Sequence, residues 1–126
     1  MKKIIVFLSF LLLSGCNQTD SKEFNEIVDE KSLSKIEVID GRTGKRYSIT
    51  DEGKQQQFID LLNERKYKEM KHHEKTKGYI YHANLSSDDT EYSITFLDDE
   101  IEIDDIYYSL DKSISVKDIS SMLECN

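Results

Sequence analysis

Alternation of apolar and polar residues is the dominant pattern along this chain, and it predicts β-strands. In a half-buried strand every second side chain faces the core, so a period of two marks such a strand. Six segments show this period, and they are residues 35–40, 46–50, 79–85, 92–97, 101–103 and 106–110. Only short polar turns separate the last four, of which Asp104-Asp105 is the tightest, so these four are expected to form an antiparallel meander.

Two further segments repeat their apolar residues at the spacing of an α-helix. The first covers roughly residues 52 to 65 after a capping Thr50 or Asp51, and its apolar stripe consists of Phe58, Ile59, Leu61 and Leu62. The second follows a capping box formed by Ser115 and Asp118, and its apolar face consists of Val116, Ile119, Met122 and Leu123. The order β-β-α-β-β-β-β-α predicts an α+β domain, with both helices on one face of an antiparallel sheet.

A short apolar stretch of a different kind precedes these elements. Lys2 and Lys3 come before residues 4–13, which are apolar except for Ser9, and the chain turns polar directly after Cys16. A helix that spans a bilayer needs about 20 apolar residues, so this stretch is too short to span one by itself. Its basic start and apolar middle are typical of a signal peptide for export.

The four residues that close this stretch, Leu13-Ser14-Gly15-Cys16, resemble the lipobox of bacterial lipoproteins. The resemblance implies cleavage between Gly15 and Cys16, an S-diacylglycerol on Cys16 and, in many bacteria, an N-acyl chain on its new amine. Each buried CH₂ contributes about 0.8 kcal/mol, so two or three such chains anchor a protein stably. The implied location is the cell membrane, facing outside the cytoplasm. The alternatives are a plain secretory signal, an uncleaved membrane anchor and a segment of the folded domain.

The predicted domain organisation has three parts. Residues 1–15 form the signal peptide, residues 16–32 the lipidated cysteine with a flexible polar tether, and residues 33–126 a small globular domain. A flexible chain of about 16 residues has a root-mean-square reach of roughly 20 to 25 Å. In an alternative interpretation Phe24, Ile27 and Val28, which have helical spacing, form a short turn that docks on the domain.

The charge of the chain restricts the partners that it can bind. The whole chain has a formal net charge of −8, and removing residues 1–15 with their two lysines leaves −10. Binding to nucleic acid and peripheral binding to anionic lipid both require a basic excess, so we expect neither, and the lipid on Cys16 must hold the protein to the bilayer. With Cys16 lipidated, Cys125 is the only free thiol and no intrachain disulfide is available. The domain is expected to be a monomer.

Two groups of side chains have the chemistry of metal ligands. Glu100, Glu102 and Asp104 would share one face of an extended segment, and Ca²⁺ prefers carboxylate oxygens. His72, His73 and Glu74 could combine with His82 in a zinc or copper site. Adjacent histidines on an extended segment point to opposite sides, so at most one of His72 and His73 could join His82. A solvated surface is the alternative interpretation of both groups, and no metal or other cofactor is predicted.

Charge is also distributed unevenly along the domain. Residues 64–77 contain six basic and three acidic residues, whereas residues 86–105 contain nine acidic residues and no basic one. If the basic stretch lies towards the bilayer, each favourably placed lysine or arginine contributes about 1 kcal/mol of attraction to anionic lipid. If it pairs with the acidic turns, it forms only a screened surface. The sequence leaves both interpretations open.

Aromatic residues of the meander offer another candidate surface. They are Tyr79, Tyr81, Tyr92, Tyr107 and Tyr108. Exposed tyrosines are enriched at protein interfaces. Core packing is the alternative for most of them, but strand alternation leaves either Tyr107 or Tyr108 away from the core.

The sequence contains neither a G-x-S-x-G nor an H-E-x-x-H motif, and we therefore predict no enzymatic activity. The predicted function is that of an extracytoplasmic binding or interaction module whose partner is an unknown protein or envelope component. The alternative is an extracytoplasmic lipoprotein that binds a metal or a small ligand. The pattern of residues 33–123, with Ile-rich strands, Tyr107-Tyr108-Ser109-Leu110 and a last helix, resembles small lipoproteins of unassigned function from Bacillus-type bacteria, some of them carried on prophages. That resemblance leaves a phage or a chromosomal origin open and assigns no functional residue.

Overall fold

The computed structural model describes residues 21–71 and 79–124, and these residues form an α+β fold. Its strands are β1 (Lys22–Glu23), β2 (Lys35–Asp40), β3 (Arg46–Ile49), β4 (Lys66–Glu69), β5 (Tyr81–Ser86), β6 (Glu91–Phe96), β7 (Glu100–Ile103) and β8 (Ile106–Leu110). Its helices are α1 (Phe24–Ile27), α2 (Glu52–Asn63) and α3 (Val116–Glu124), with a 3-10 turn at Glu30–Ser32. No helix among the described residues is long and apolar enough to cross a bilayer. The predicted signal peptide, Cys16, the run His72-His73-Glu74 and Cys125 lie outside the described residues.

The eight strands join one antiparallel sheet in the order β1-β4-β8-β7-β6-β5-β2-β3. The predicted meander, β5 to β8, forms its centre, and each of these strands pairs with the next. The β2–β3 hairpin extends the sheet on one side through the pairing of β2 with β5, and β4 and β1 extend it on the other. The α+β class and the predicted meander are thereby confirmed.

One face of this sheet carries the hydrophobic core. A row of paired neighbours on this face, all of them buried, consists of Val38, Ala83, Ile94 and Ile103. Helix α2 packs on the same face, where the ring of Phe58 lies 6.1 Å from that of Phe96 in an edge-to-face contact. Helix α3 contacts α2 and buries Ile119 completely. The apolar residues that show a period of two in the strands and helical spacing in α2 and α3 therefore pack into one shared core.

The opposite face, which we call the open face, carries the alternate residues of the central strands. Those residues are Glu37, Ile39, His82, Asn84, Ser93, Thr95, Glu100, Glu102, Tyr107 and Ser109. All of them are half-buried or exposed. Because most of them are polar, this side of the sheet remains hydrated, as is common for antiparallel sheets.

The segment predicted as the second half of the tether belongs to the folded domain. Phe24 and Val28 are fully buried, and the ring of Phe24 lies 5.8 Å from that of Tyr67. Just before α1, strand β1 pairs Lys22 with Tyr67 of β4. The tether prediction is therefore corrected from Lys22 onward, and the alternative in which this apolar group docks on the domain describes the structure. Burial of two large apolar side chains offsets the entropy that ordering a short polar segment costs.

Strand β4 is missing from the predicted order because its own sequence shows no alternation. Lys66, Lys68 and Glu69 are exposed, and Tyr67 is the single buried residue of the strand. Burial raises the pKa of Tyr67, so its hydroxyl stays protonated and donates a hydrogen bond of 2.7 Å to the carbonyl oxygen of Leu62. The strand exists because β1 and β8 flank it, and not because of a period in its own residues.

Aspartates occupy unusual backbone positions in the turns of the meander. Asp98, Asp104 and Asp105 have φ angles of 88°, 49° and 74°, a region that Asp and Asn tolerate better than most residues. The carboxylate of Asp104 also accepts a hydrogen bond of 2.9 Å from the backbone N–H of Ser93. The predicted tight hairpin at Asp104-Asp105 is confirmed, and these acids hold the chain in its turns.

Both predicted helix caps are confirmed. The side chain of Asp51 accepts a hydrogen bond of 3.0 Å from the backbone N–H of Lys54 at the start of α2. Before α3, the backbone N–H of Ser115 donates to the Asp118 carboxylate at 3.0 Å, and the N–H of Asp118 donates to the Ser115 hydroxyl at 3.1 Å. These contacts satisfy N–H groups that the first turn of a helix leaves without partners.

A buried arginine joins the end of α2 to the segment before α3. Arg65 is only 4% exposed. Its guanidinium donates hydrogen bonds to the carbonyl oxygens of Leu61 at 2.8 Å, Lys112 at 3.2 Å and Ser113 at 2.8 Å. The Asp118 carboxylate lies 3.4 Å away. Although the sequence analysis grouped Arg65 with a basic surface stretch, the structure places it inside the domain as a structural residue.

Candidate functional site

The open face brings side chains from five strands into one row. Following the strand register, this row contains Ile39, His82, Thr95, Glu102 and Tyr107. Each member comes from a different strand and each is half-buried. From the sequence, His82 and Glu102 were candidate metal ligands or parts of a solvated surface. The register that places them in one row cannot be derived from local patterns.

His82 lies near the middle of this row and is held by two hydroxyl groups. Its Nδ1 is 3.0 Å from the Thr95 hydroxyl, and its Nε2 is 3.4 Å from the Ser93 hydroxyl. The ring of Tyr79 contacts it at a centroid distance of 6.0 Å. Since hydroxyl groups can both donate and accept, these contacts fix the imidazole in place and leave a polar patch suited to hydrogen bonding with a partner.

The contact between Ser93 and His82 does not amount to a catalytic pair. At 3.4 Å the hydrogen bond is longer than that of an activated nucleophile and its base. Acyl transfer also needs N–H donors for a developing oxyanion beside the nucleophile. The N–H of Ser93 is already bound to the carboxylate of Asp104. The Ser93–His82 contact therefore lacks the geometry of an activated nucleophile and its base.

Glu102 and Tyr107 are paired neighbours on β7 and β8. Desolvation raises the pKa of Tyr107, and the nearby Glu102 carboxylate, which accepts a hydrogen bond from the tyrosine hydroxyl, raises it further. Tyr107 therefore stays protonated and presents an amphipathic ring on the open face, whereas Tyr108 points into the core and is only 3% exposed. The expectation that one of these two tyrosines lies away from the core is confirmed.

The candidate metal ligands are not assembled into a site. Among the described residues, no group of three His, Cys, Asp or Glu side chains is placed to hold a metal ion. Glu100 and Glu102 do share the open face, but Asp104 lies in the turn and its carboxylate binds the backbone of Ser93. Of the histidine group, only His82 lies within the described residues, and its ring contacts hydroxyl groups.

Charge divides the sheet into an acidic centre and more basic edges. The nine acids of the meander are Asp88, Asp89, Glu91, Asp98, Asp99, Glu100, Glu102, Asp104 and Asp105, and they lie on β6, β7 and the adjoining turns. The basic residues at the two edges are Lys22, Lys66 and Lys68 on β1 and β4, and Arg42, Lys45 and Arg46 at the β2–β3 hairpin. The open face and its adjoining turns therefore carry an acidic field.

An ion pair at the end of β2 is a further polar feature that sequence reasoning missed. The guanidinium of Arg42 donates two hydrogen bonds to the Asp40 carboxylate, at 2.9 and 3.1 Å, and one of 3.0 Å to the Tyr81 hydroxyl. The hydrogen bond from Arg42 is the main reason that the pKa of Asp40 lies below its usual value. Gly41 is required beside it, because a Cβ there would stand 2.5 Å from the carbonyl oxygen of Tyr79. This cluster closes the hairpin and is best explained as structural.

A cavity of about 450 Å³ lies between the 3-10 turn and the first turn of α2. Leu33, Ile36 and Ile59 supply its apolar lining, and Glu30, Lys31 and Gln56 are among its polar residues. The position of this cavity depends on the ordered segment before β2, which sequence reasoning assigned to the tether. Its lining contains both acidic and basic groups and so indicates no particular ligand.

No family model matches this chain, and no curated protein sequence or solved structure shows significant similarity to it.

Proposed function

We propose that this protein is a bacterial lipoprotein, anchored through lipid on Cys16, whose folded domain acts outside the cytoplasm as a binding module. The observation that carries this proposal is the motif Leu13-Ser14-Gly15-Cys16 after a basic start and a short apolar stretch. The motif stands just ahead of the first described strand, which begins at Lys22. A lipid at that position would hold the domain at the membrane surface without entering its core.

The open face is the surface that we assign to the partner. It combines hydrogen-bonding side chains around His82 with the carboxylates of Glu100 and Glu102. Charges of this kind steer a partner into contact and select it more than they set affinity. A protein or other envelope component that carries basic and hydrogen-bonding groups suits this surface. The resemblance to prophage lipoproteins adds a phage origin to the proposal, and the neighbouring genes would test it.

Replacing Cys16 with serine is expected to remove the lipid and to leave a soluble or uncleaved product, because a serine cannot form the thioether. Cells that express each variant are grown with a labelled fatty acid and then fractionated. The matched control is Cys125→Ser, which should keep both the label and the membrane location. Fatty-acid label on the Cys16→Ser protein would place the anchor elsewhere and contradict the proposal.

Neutralising Glu100 and Glu102 together to glutamine is expected to slow association with the partner and to weaken its dependence on salt, since the steering charges are removed. Glutamine preserves size and hydrogen bonding, so the free energy of unfolding should change little. The turn residues Asp98, Asp104 and Asp105 are left intact because their positive φ angles make substitution costly. The association rate is measured over a range of salt concentrations.

The partner for this measurement is captured with a photocrosslinker at Asn84 on the open face and compared with one at Gln57 on the exposed side of α2. The matched charge control is Glu52→Gln combined with Asp60→Asn, which removes two charges from α2. Equal slowing by both double variants would show that only net charge matters. That outcome would remove the open face from the proposed function.

A further inference from the structure

The first described strand follows closely after the proposed lipid along the chain. Strand β1 starts at Lys22 and pairs with β4, and the next residue after β1 is the fully buried Phe24. Only five residues, 17–21, separate Cys16 from Lys22. At full extension a chain of this length reaches about 20 Å, whatever its conformation. Strand β1 therefore stays within that distance of the bilayer surface if Cys16 carries lipid.

The opposite edge of the sheet is farther away than this reach. Within residues 21–71 and 79–124, strands β1 and β3 are the two edges of an eight-stranded sheet. With neighbouring strands about 4.8 Å apart, β3 lies about 33 Å from β1 across the sheet. The domain cannot stand on its β3 edge while β1 remains tied to Cys16. It must rest on the edge formed by β1 and β4, stand on one end of its strands or lie on one of its broad faces.

Charge favours the first arrangement. The open face and its turns hold the acidic centre of the sheet, which anionic headgroups repel. Next to the anchor, Lys22, Lys68 and Lys71 are exposed. They outnumber the exposed acids of the same segments, Glu26 and Glu69, and Lys66 is paired with Glu23. The sequence left open whether the basic stretch faces lipid or the acidic turns. In the structure β4 lies beside the strand that follows Cys16.

We infer that the edge formed by β1 and β4 lies against the anionic headgroups of the bilayer, with Lys22, Lys68 and Lys71 in contact with lipid. This inference rests on the proposed lipidation of Cys16. In this orientation the distance from the membrane increases along the strand order from β1 to β3. The central strands of the open face and the β2–β3 hairpin then project outward, where an extracytoplasmic partner can reach them.

Fluorescence quenching in vesicles tests this orientation. Lipidated protein with Cys125→Ser is purified from membranes, labelled at Glu69→Cys on β4 or at Ser48→Cys on β3, and placed in phosphatidylglycerol vesicles that contain a headgroup quencher. Both positions are exposed. We expect the label at 69 to lose most of its fluorescence and the label at 48 to keep most of it. Equal loss at both positions would mean that the domain lies flat or tumbles, and would overturn the inference.

A second comparison tests the lysines. The triple variant Lys22→Gln, Lys68→Gln and Lys71→Gln should lose much of the quenching at position 69, and so should the unchanged protein in neutral phosphatidylcholine vesicles. The matched control replaces three exposed lysines elsewhere, Lys35, Lys45 and Lys117, and should keep the quenching. If neither the triple variant nor the neutral vesicles reduced the quenching at position 69, the proposed role of the lysines would be wrong. Absence of fatty acid on Cys16 would refute the proposed anchor itself, whereas fatty acid with equal quenching refutes only the orientation.

Discussion

Replacing Phe24 with alanine is expected to lower the free energy of unfolding by about 3 to 5 kcal/mol, the range typical of Phe→Ala changes in protein cores. The side chain is fully buried, and its ring packs against that of Tyr67. Alanine would leave a cavity beneath the β1–β4 edge and weaken the docking of the whole segment before β2. Unfolding in urea, followed by circular dichroism, measures the change.

Ile27→Ala is the matched control for this prediction. Ile27 belongs to the same short helix but is only half-buried, so its truncation should cost clearly less than that of Phe24. Deleting residues 21–31 should destabilise the domain at least as much as Phe24→Ala, because the deletion also removes the buried Val28 and strand β1. An unchanged unfolding midpoint in all three proteins would show that residues 21–31 do not stabilise the domain and would favour the tether prediction.

Replacing Arg65 with methionine is expected to destabilise the domain by about 3 kcal/mol, because each buried group that loses its hydrogen-bond partner costs about 1 to 3 kcal/mol. The carbonyl oxygens of Leu61, Lys112 and Ser113 all accept hydrogen bonds from this guanidinium. Methionine fills similar volume but donates nothing. The same denaturant experiment measures the loss.

Arg65→Lys should be more stable than Arg65→Met but less stable than the unchanged protein. A lysine ammonium lacks the planar array of N–H donors with which a guanidinium reaches several carbonyl oxygens at once. Asp118→Asn is the control for the ion pair. The Asp118 side chain is 39% exposed and lies 3.4 Å from the guanidinium, and asparagine can still accept the hydrogen bond from Ser115. Its effect should therefore be small. Full stability of the Arg65→Met protein would show that water satisfies these carbonyl groups and would contradict the structural role of Arg65.

Strands, helices, caps and turns that depend on residues close together along the chain could be predicted from the sequence. The strands β2, β3 and β5 to β8 follow from alternation, and α2 and α3 follow from helical spacing, each within about two residues of the observed bounds. The cap at Ser115 and Asp118 and the turn at Asp104-Asp105 were predictable for the same reason. Each depends on contacts between residues that are two to four positions apart.

The candidate site was harder to predict than the fold. His82, Thr95 and Glu102 were each visible as polar residues on a strand, but their order across the sheet depends on which strands pair and in which register. The hydrogen-bond partner of the Asp104 carboxylate could not be predicted for the same reason. Sequence reasoning placed it beside two glutamates as a ligand, whereas its partner is the backbone of Ser93, eleven positions earlier.

By itself, the sequence determined the α+β class, the meander, the two main helices, the acidic character of the domain and the lipobox resemblance on which the proposed anchor rests. Only the tertiary structure decided that β1 and β4 are strands, that Phe24 belongs to the core and that Arg65 is buried. The physical reason is the separation along the chain between the residues that form the stabilising contacts. The apolar period of a segment shows which face it buries, but β4 has only one buried residue. Strand β1 pairs with a segment more than 40 positions away, and Arg65 finds two of its three carbonyl partners at a similar separation.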